Sequence, residues 1–505
     1  MNLKQLIGQK LVIGIPSQKV TIAIIRHFKE LHAGGLILYR INFESTSQIK
    51  KLISNLEEAI EQKLIVTADH EGGRVIMFRE GITVFPDNLA IGNTHNINVA
   101  QQQGMIEAKE LRRLGIDINL GPVLDVLTTA YSPNIGIRSY GTNWKEVSQM
   151  GIARIQAMQK NGISACAKHF PGKGHAPVDA HLGLPIISST WNEMEKIHLR
   201  PFIDAIQAGV DCIMSSHPYY PKLDPNPAHI ATFSRKIIYD TLRKRLKFNG
   251  LIISDDLEMG AVKTMCSIGE AAIKATQAGH DLLLVCHDLN AQKEVFYSLL
   301  KAYENKTLSI SELEESVERI QKIKQLRSNR FEKGKALPEK SGKDLTKRIC
   351  SQSITVLNQP QLLGKKELKN IKISIFFPKF SFYDKKIMIE KEILNETSFL
   401  YKEFKKYNFK PSIQIVSIEP TDTEIKKAVR LALKSETILY FCFDAHLYPS
   451  NKKLLDALQS TKKNMITALL RDPYDIEFIH PKTACLTNFG WRVCQIQSII
   501  QRICA

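Results

Sequence analysis

In roughly its first 320 residues the chain passes eight times from a short apolar run to a longer amphipathic stretch, and this alternation constrains its fold more than any other feature. The strand candidates are LVIGIP from Leu11, GGLILYR from Gly34, LIVTADHEGG from Leu64 and DINLGPVLDV from Asp117. They continue with SACAKHFPG from Ser164, DCIMSSH from Asp211, GLIISDDLEMG from Gly250 and DLLLVCH from Asp281. Helical patterns such as TSQIKKLISNLEEAIEQ and WKEVSQMGIARIQAMQKNG lie between them, the second expected to stop at Gly162. Eight β-then-α units predict a (β/α)8 barrel. The alternative, a doubly wound open sheet, lacks a phosphate-cradling G-x-G-x-x-G after the first strand.

The pattern changes near residue 330. From Arg327 to Lys372 there are twelve Lys/Arg against four Asp/Glu, which reads as a basic linker over 329–370 and accounts for part of the net charge of +18. Nucleic-acid binding is the other reading of that charge, but no aromatic-interleaved basic motif accompanies it, so no nucleic-acid partner is expected. Alternation resumes at Ile371 with KISIFF, SIQIVSI, the helix TEIKKAVRLALKS, TILYFCFD, a helix at 452–464 and MITALL. The expected organisation is a barrel over 1–328 followed by a smaller α/β sandwich over 371–505.

No run of about 18 apolar residues occurs, so no membrane span is expected. The first sixteen residues lack a long apolar core and a small-residue cleavage site, which argues against a signal peptide. Nine single cysteines without a C-x-x-C pair read as reduced thiols, hence a cytoplasmic protein without a cysteine metal site.

Polar residues fall where a barrel keeps its chemistry. Arg40, Asp69, Asp125, Lys168, His169, His217, Asp255 and His287 lie at or just after the C-terminal ends of the apolar runs. The densest segment is KHFPGKGHAPVDAHLGLP, Lys168 to Pro185. Asp179 and His181 are two apart, so in an extended loop their side chains point the same way. A carboxylate can hold one imidazole nitrogen while the other exchanges protons with a reacting group, a task that an unperturbed pKa near ~6.5 suits. The alternatives are loop hydrogen bonding and a zinc site, although the His-x-His and His-Glu-x-x-His spacings are absent.

In GLIISDDLEMG an apolar run ends in Asp255 and Asp256. A carboxylate facing a pocket there can attack an anomeric carbon. The alternative is an aspartate capping the next helix. Asp256 fits that role and leaves Asp255 for the pocket, but spacing alone does not decide between the two uses.

The combination K-H-F-P-G, D-x-H-L-G-L-P and S-D-D-L-x-M resembles glycoside hydrolase family 3, in its bacterial β-N-acetylhexosaminidase branch. ADHEGGRV at 68–75, NLGPVLDV at 119–126, IGIRSYG at 135–141, AGHDLLL at 278–284 and RDPYDIEFI in the second domain support the likeness. The resemblance implies Asp255 as nucleophile, His181 as acid/base and Asp179 as its partner. It also implies Asp69, Arg138, Lys168 and His169 as ligands of sugar hydroxyls, with no cofactor and no metal. The implied substrate is a small carbohydrate carrying terminal β-linked N-acetylglucosamine, either a muropeptide of cell-wall recycling or a chitooligosaccharide. Phosphorolysis or β-glucosidase activity on the same fold, and a non-catalytic sugar-binding protein, are the competing expectations.

Three departures from the family pattern stand out. Met77 occupies the place of a usual second sugar-binding arginine, with Arg79 two residues on. The loop reads PGKGHA where PGHGDT is usual, which introduces Lys173 and His175, and Ala180 replaces the usual serine between the paired residues.

Overall fold

A computed structural model describes residues 1–129, 131–176, 183–327, 339–358, 371–384 and 389–504. These form two compact units. The first comprises Met1–Glu71, Ile76–Thr83 and Asn96–Gly342; the second comprises Gly72–Val75, Val84–His95 and Lys343–Ala505.

All eight expected strands of the first unit are present. They are β1 (Leu11–Ile13), β2 (Gly35–Leu38), β3 (Ile65–Ala68), β4 (Ile118–Asn119), β5 (Ser164–Phe170), β6 (Cys212–Ser215), β7 (Leu251–Ile253) and β8 (Leu283–Val285). From β1 to β7 each strand pairs in parallel with the next, and β8 pairs in parallel with β1. A parallel bridge between Ile253 and Leu282 closes the ring, with Ser254 N–H donating to the Leu282 carbonyl at 3.0 Å. The result is a (β/α)8 barrel.

Side-chain alternation along these strands decides what the barrel holds. Val12, Ile37, Ile65, Ile118, Cys166, Cys212, Leu251, Ile253 and Leu284 belong to one buried cluster, the barrel interior. Their neighbours Leu11, Ile13, Leu36, Leu38, Val66, Ala165, Ala167, Ile252 and Leu283 belong to another, shared with helix residues such as Ile49, Leu52 and Leu111. Burying each large apolar side chain contributes about 1.5–3 kcal/mol, so a one-residue slip in register would be costly. Continuing the inward parity two residues past each strand's apolar part reaches Tyr39, Asp69, Lys168 and Asp255. The helix Trp144–Lys160 ends as expected, with Asn161 as cap and Gly162 next at φ +90°.

The second unit is a six-stranded sheet flanked by helices. Its strands are β9 (Thr355–Asn358), β10 (Ile373–Pro378), β11 (Ser412–Val416), β12 (Thr437–Phe443), β13 (Asn464–Leu470) and β14 (Ala484–Thr487). They are ordered β11-β10-β12-β13-β14-β9, all parallel except β9. The RDPYDIEFI motif organises its C-terminal edge. Arg471 pairs with Asp444 at 2.6 Å and Asp472 at 3.0 Å, while Asp475 accepts the N–H groups of Ala445 and His446 at 2.8 Å each.

Several elements were not legible in the sequence. The short β9 and β14 carry too few residues for a periodic signal. The helix read at 452–464 runs from Pro449 to Ser460, because a proline is accommodated in the first turn of a helix. Within the stretch read as a linker lies the helix Glu339–Gln352. Its buried stripe includes Gly342, Leu345, Thr346, Ile349 and Cys350, set among charged residues.

Candidate active site

At the C-terminal ends of β3, β4, β5 and β7 an ionic network is assembled from inward-facing side chains. Lys168 Nζ lies 2.6 Å from Asp69 Oδ1 and 2.6 Å from Glu71 Oε1. Arg138, in the 3-10 turn Gly136–Arg138, clasps Glu71 in a fork, Nε to Oε2 at 2.9 Å and Nη2 to Oε1 at 2.8 Å. Its Nη1 is held by Asn134 through the carbonyl at 2.8 Å and the amide oxygen at 3.0 Å. Burial disfavours charge on Glu71, but Arg138 and Lys168 outweigh it and hold the carboxyl well below its usual range. Asp69 differs. Burial pushes its pKa up against the pull of Lys168, and its side chain keeps 21% of its surface exposed, so it retains an accessible oxygen face.

A second carboxylate orders the loop after β5. Asp125 Oδ2 faces His169 Nδ1 at 2.7 Å and accepts the His169 N–H at 3.2 Å; Oδ1 accepts the Lys173 N–H at 2.6 Å. Burial, more than the nearby Lys173, sets the Asp125 pKa at about 6. His169 is held neutral, first by burial and then by Lys173, Arg138 and Lys168 around it. Its Nε2 lies 3.4 Å from Arg138 Nη2, so the Nδ1–H tautomer leaves Nε2 as the acceptor.

Asp255 emerges from β7 with its side chain 17% exposed. Its Oδ1 accepts the Asp256 N–H at 2.9 Å and its Oδ2 lies 3.8 Å from Lys173 Nζ. Burial opposes its charge, but Lys173, His217 and Lys168 prevail and lower its pKa. Asp256 instead accepts the Glu258 N–H at 3.1 Å, a local turn contact, and burial raises its carboxyl to about 7. The neighbouring carboxyls thus differ in kind: Asp255 is the ionised one aimed inward.

Residues 3–323 match the glycosyl hydrolase family 3 N terminal domain. The chain belongs to glycoside hydrolase family 3. The β-hexosaminidase of Methylobacillus flagellatus is 32% identical over 295 residues, 57% of this chain and 83% of that protein. That of Nitrosomonas eutropha is 37% identical over 272 residues, 53% of this chain and 77% of that protein. The structure of a family 3 β-N-acetylglucosaminidase from a Paenibacillus species superposes with a TM-score of 0.92 at 28% identity, covering 99% of this chain and 96% of that one.

In this family 3 chain the network brings together Asp69, Arg138, Lys168 and His169, while Asp255 joins it through Lys168 and Lys173. Asp179 and His181 lie outside the described residues. Glu71 and Asp125 are the residues whose organising roles sequence reasoning missed. The signal for Glu71 was chemical, since two buried cations, Lys168 and Arg138, require a shared counter-charge. His175 is a loop hydrogen-bonder: its Nε2 meets Ser189 Oγ at 3.0 Å, its ring stacks on His198 at 3.8 Å, and burial lowers its pKa to about 4. Met77 packs on the apolar core. Among the described residues no helix is long and apolar enough to cross a membrane.

Proposed function

We propose that this family 3 chain is a β-N-acetylhexosaminidase that removes terminal β-linked N-acetylglucosamine with retention of configuration, through a covalent bond to Asp255. In the first step an Asp255 oxygen bonds to the anomeric carbon as the glycosidic bond breaks. The departing oxygen takes both electrons of that bond and a proton from His181, which Asp179 orients. In the second step water attacks the same carbon, His181 accepts its proton, and Asp255 leaves as carboxylate. Asp69 accepts sugar hydroxyls, Arg138 and Lys168 donate to them, and neutral His169 accepts at Nε2. Catalysis belongs to residues 1–328, with 371–505 a separate domain.

The observation that carries this reading is the ionised Asp255 set on the inward parity of β7, beside the Lys168–Asp69 pair on that of β5 and β3. Family membership and the hexosaminidase relatives support the amino-sugar specificity. By the same resemblance the substrate is a cytoplasmic muropeptide fragment. The test compares p-nitrophenyl N-acetyl-β-glucosaminide with the corresponding β-glucoside. The acetamido sugar is expected to turn over faster, and no turnover of it would reject the reading.

A further inference from the structure

Lys173 is a departure from the usual family loop, and its surroundings give it a task. It sits between Gly172, at φ +112°, and Gly174, where an added Cβ would stand 2.0 Å from the Val126 carbonyl oxygen. The backbone is therefore pressed against the β4 side of the barrel mouth, and Asp125 Oδ1 accepts the Lys173 N–H at 2.6 Å. So anchored, the side chain is 3% exposed and its ammonium lies 3.8 Å from Asp255 Oδ2. The groups facing Asp255 are Lys168 from β5, His217 after β6, Asp69 after β3, its neighbour Asp256, and Lys173. Lys168 is already paired with Asp69 and Glu71 at 2.6 Å each, so Lys173 is the cation whose carboxylate contact is Asp255 itself.

We propose that Lys173 is a positioning residue that keeps Asp255 ionised and favours its departure from the anomeric carbon in the second half-reaction. This rests on Asp255 being the nucleophile. An opposite charge at such a distance stabilises the carboxylate but not the ester formed from it. The pairing therefore slows formation of the glycosyl ester and speeds its breakdown. In that breakdown the bond from carbon to Asp255 oxygen parts with both electrons on the oxygen. Water's oxygen bonds to the carbon, and its proton goes to the loop base. Burial lowers the Lys173 pKa, and Asp255 and Asp125 oppose that shift by favouring its charged form.

The test uses the full chain with Lys173→Met and Lys173→Arg, p-nitrophenyl N-acetyl-β-glucosaminide, a pH profile of kcat/KM and a rapid-mixing measurement of the nitrophenol burst. For Lys173→Met the acid limb is expected to move up by about one pH unit. Steady turnover after the burst is expected to fall about tenfold while glycosyl-enzyme accumulates, and Lys173→Arg restores both. A Lys173→Met enzyme with the wild-type acid limb and burst overturns the proposal. Should that variant fail to fold by circular dichroism, Lys173→Gln is read by the same criteria. A wild-type enzyme that turns over substrate without ever carrying an ester on Asp255 overturns the nucleophile assignment instead, which separates the two failures.

Discussion

Asp125, just beyond β4, and His169, within β5, are joined twice: the carboxylate oxygen that meets the ring Nδ1 at 2.7 Å also accepts the backbone N–H at 3.2 Å. The other oxygen accepts the Lys173 N–H at 2.6 Å. One carboxylate thus sets the tautomer of a proposed sugar ligand and the path of the loop that follows it. Asp125→Ala is predicted to cut kcat/KM about a hundredfold, the scale expected when reacting groups shift by an ångström. Steady-state kinetics alongside a thermal melt checks this. A melt near the wild-type midpoint with unchanged kinetics would contradict it.

Glu71 is the shared counter-charge of Lys168 and Arg138, each with at most 11% of its side chain exposed. Glu71→Gln removes that charge and deprives two buried cations of the carboxylate they share. The predicted cost is about 3–5 kcal/mol of folding stability, together with a raised KM, as is usual when one partner of a buried pair is deleted. Urea unfolding monitored by fluorescence measures the first, and saturation kinetics the second.

Stability should respond to pH in two opposed ways. The Glu71 pKa lies below its ordinary 4.5 in the folded chain, so its contribution is complete above that value and is lost as pH falls through the folded value. Asp125 is raised from 3.8 to about 6, so folding favours its protonated form. Its contribution is complete below 3.8 and is lost as pH rises through about 6. Between those two values, denaturation midpoints should therefore fall less steeply with rising pH in Asp125→Asn than in wild type. Below pH 4.5 the wild type should lose stability with acid, and Glu71→Gln should lose less.

Much of the barrel's chemistry was legible because strand parity is strict. Ile65, Cys166 and Ile253 face inward, so Asp69, Lys168 and Asp255 follow at even spacings on the same side. The resemblance then separated Asp255 from Asp256, which spacing alone left open, and the Asp256 contact with Glu258 gives that difference a local cause. What sequence could not reach was pairing across strands. Nothing local to Glu71 says that it meets both Lys168, from β5, and Arg138, from a separate turn. Arg154 is likewise a cation in the middle of an amphipathic helix. In the fold it is fully buried, paired with Glu107 at 2.9 Å and bonded at 2.8 Å to the Glu71 carbonyl, behind the site it supports. Lys173 stood out only as a departure, because its relation to Asp255 depends on the loop's path past Val126.

The central claim is that Asp255 forms the bond to sugar, and peptide mapping of trapped enzyme tests it most directly. Incubation with a ring-fluorinated N-acetylglucosaminyl fluoride, which loses its anomeric fluoride and is released slowly, followed by digestion and mass spectrometry, should find one fluorinated N-acetylglucosaminyl adduct on the peptide containing Ser254-Asp255-Asp256, fragmenting to Asp255. Asp255→Ala should carry none and lose at least about a thousandfold in turnover. An adduct on Asp256 or on any other carboxylate, with Asp255→Ala still active, would contradict the account.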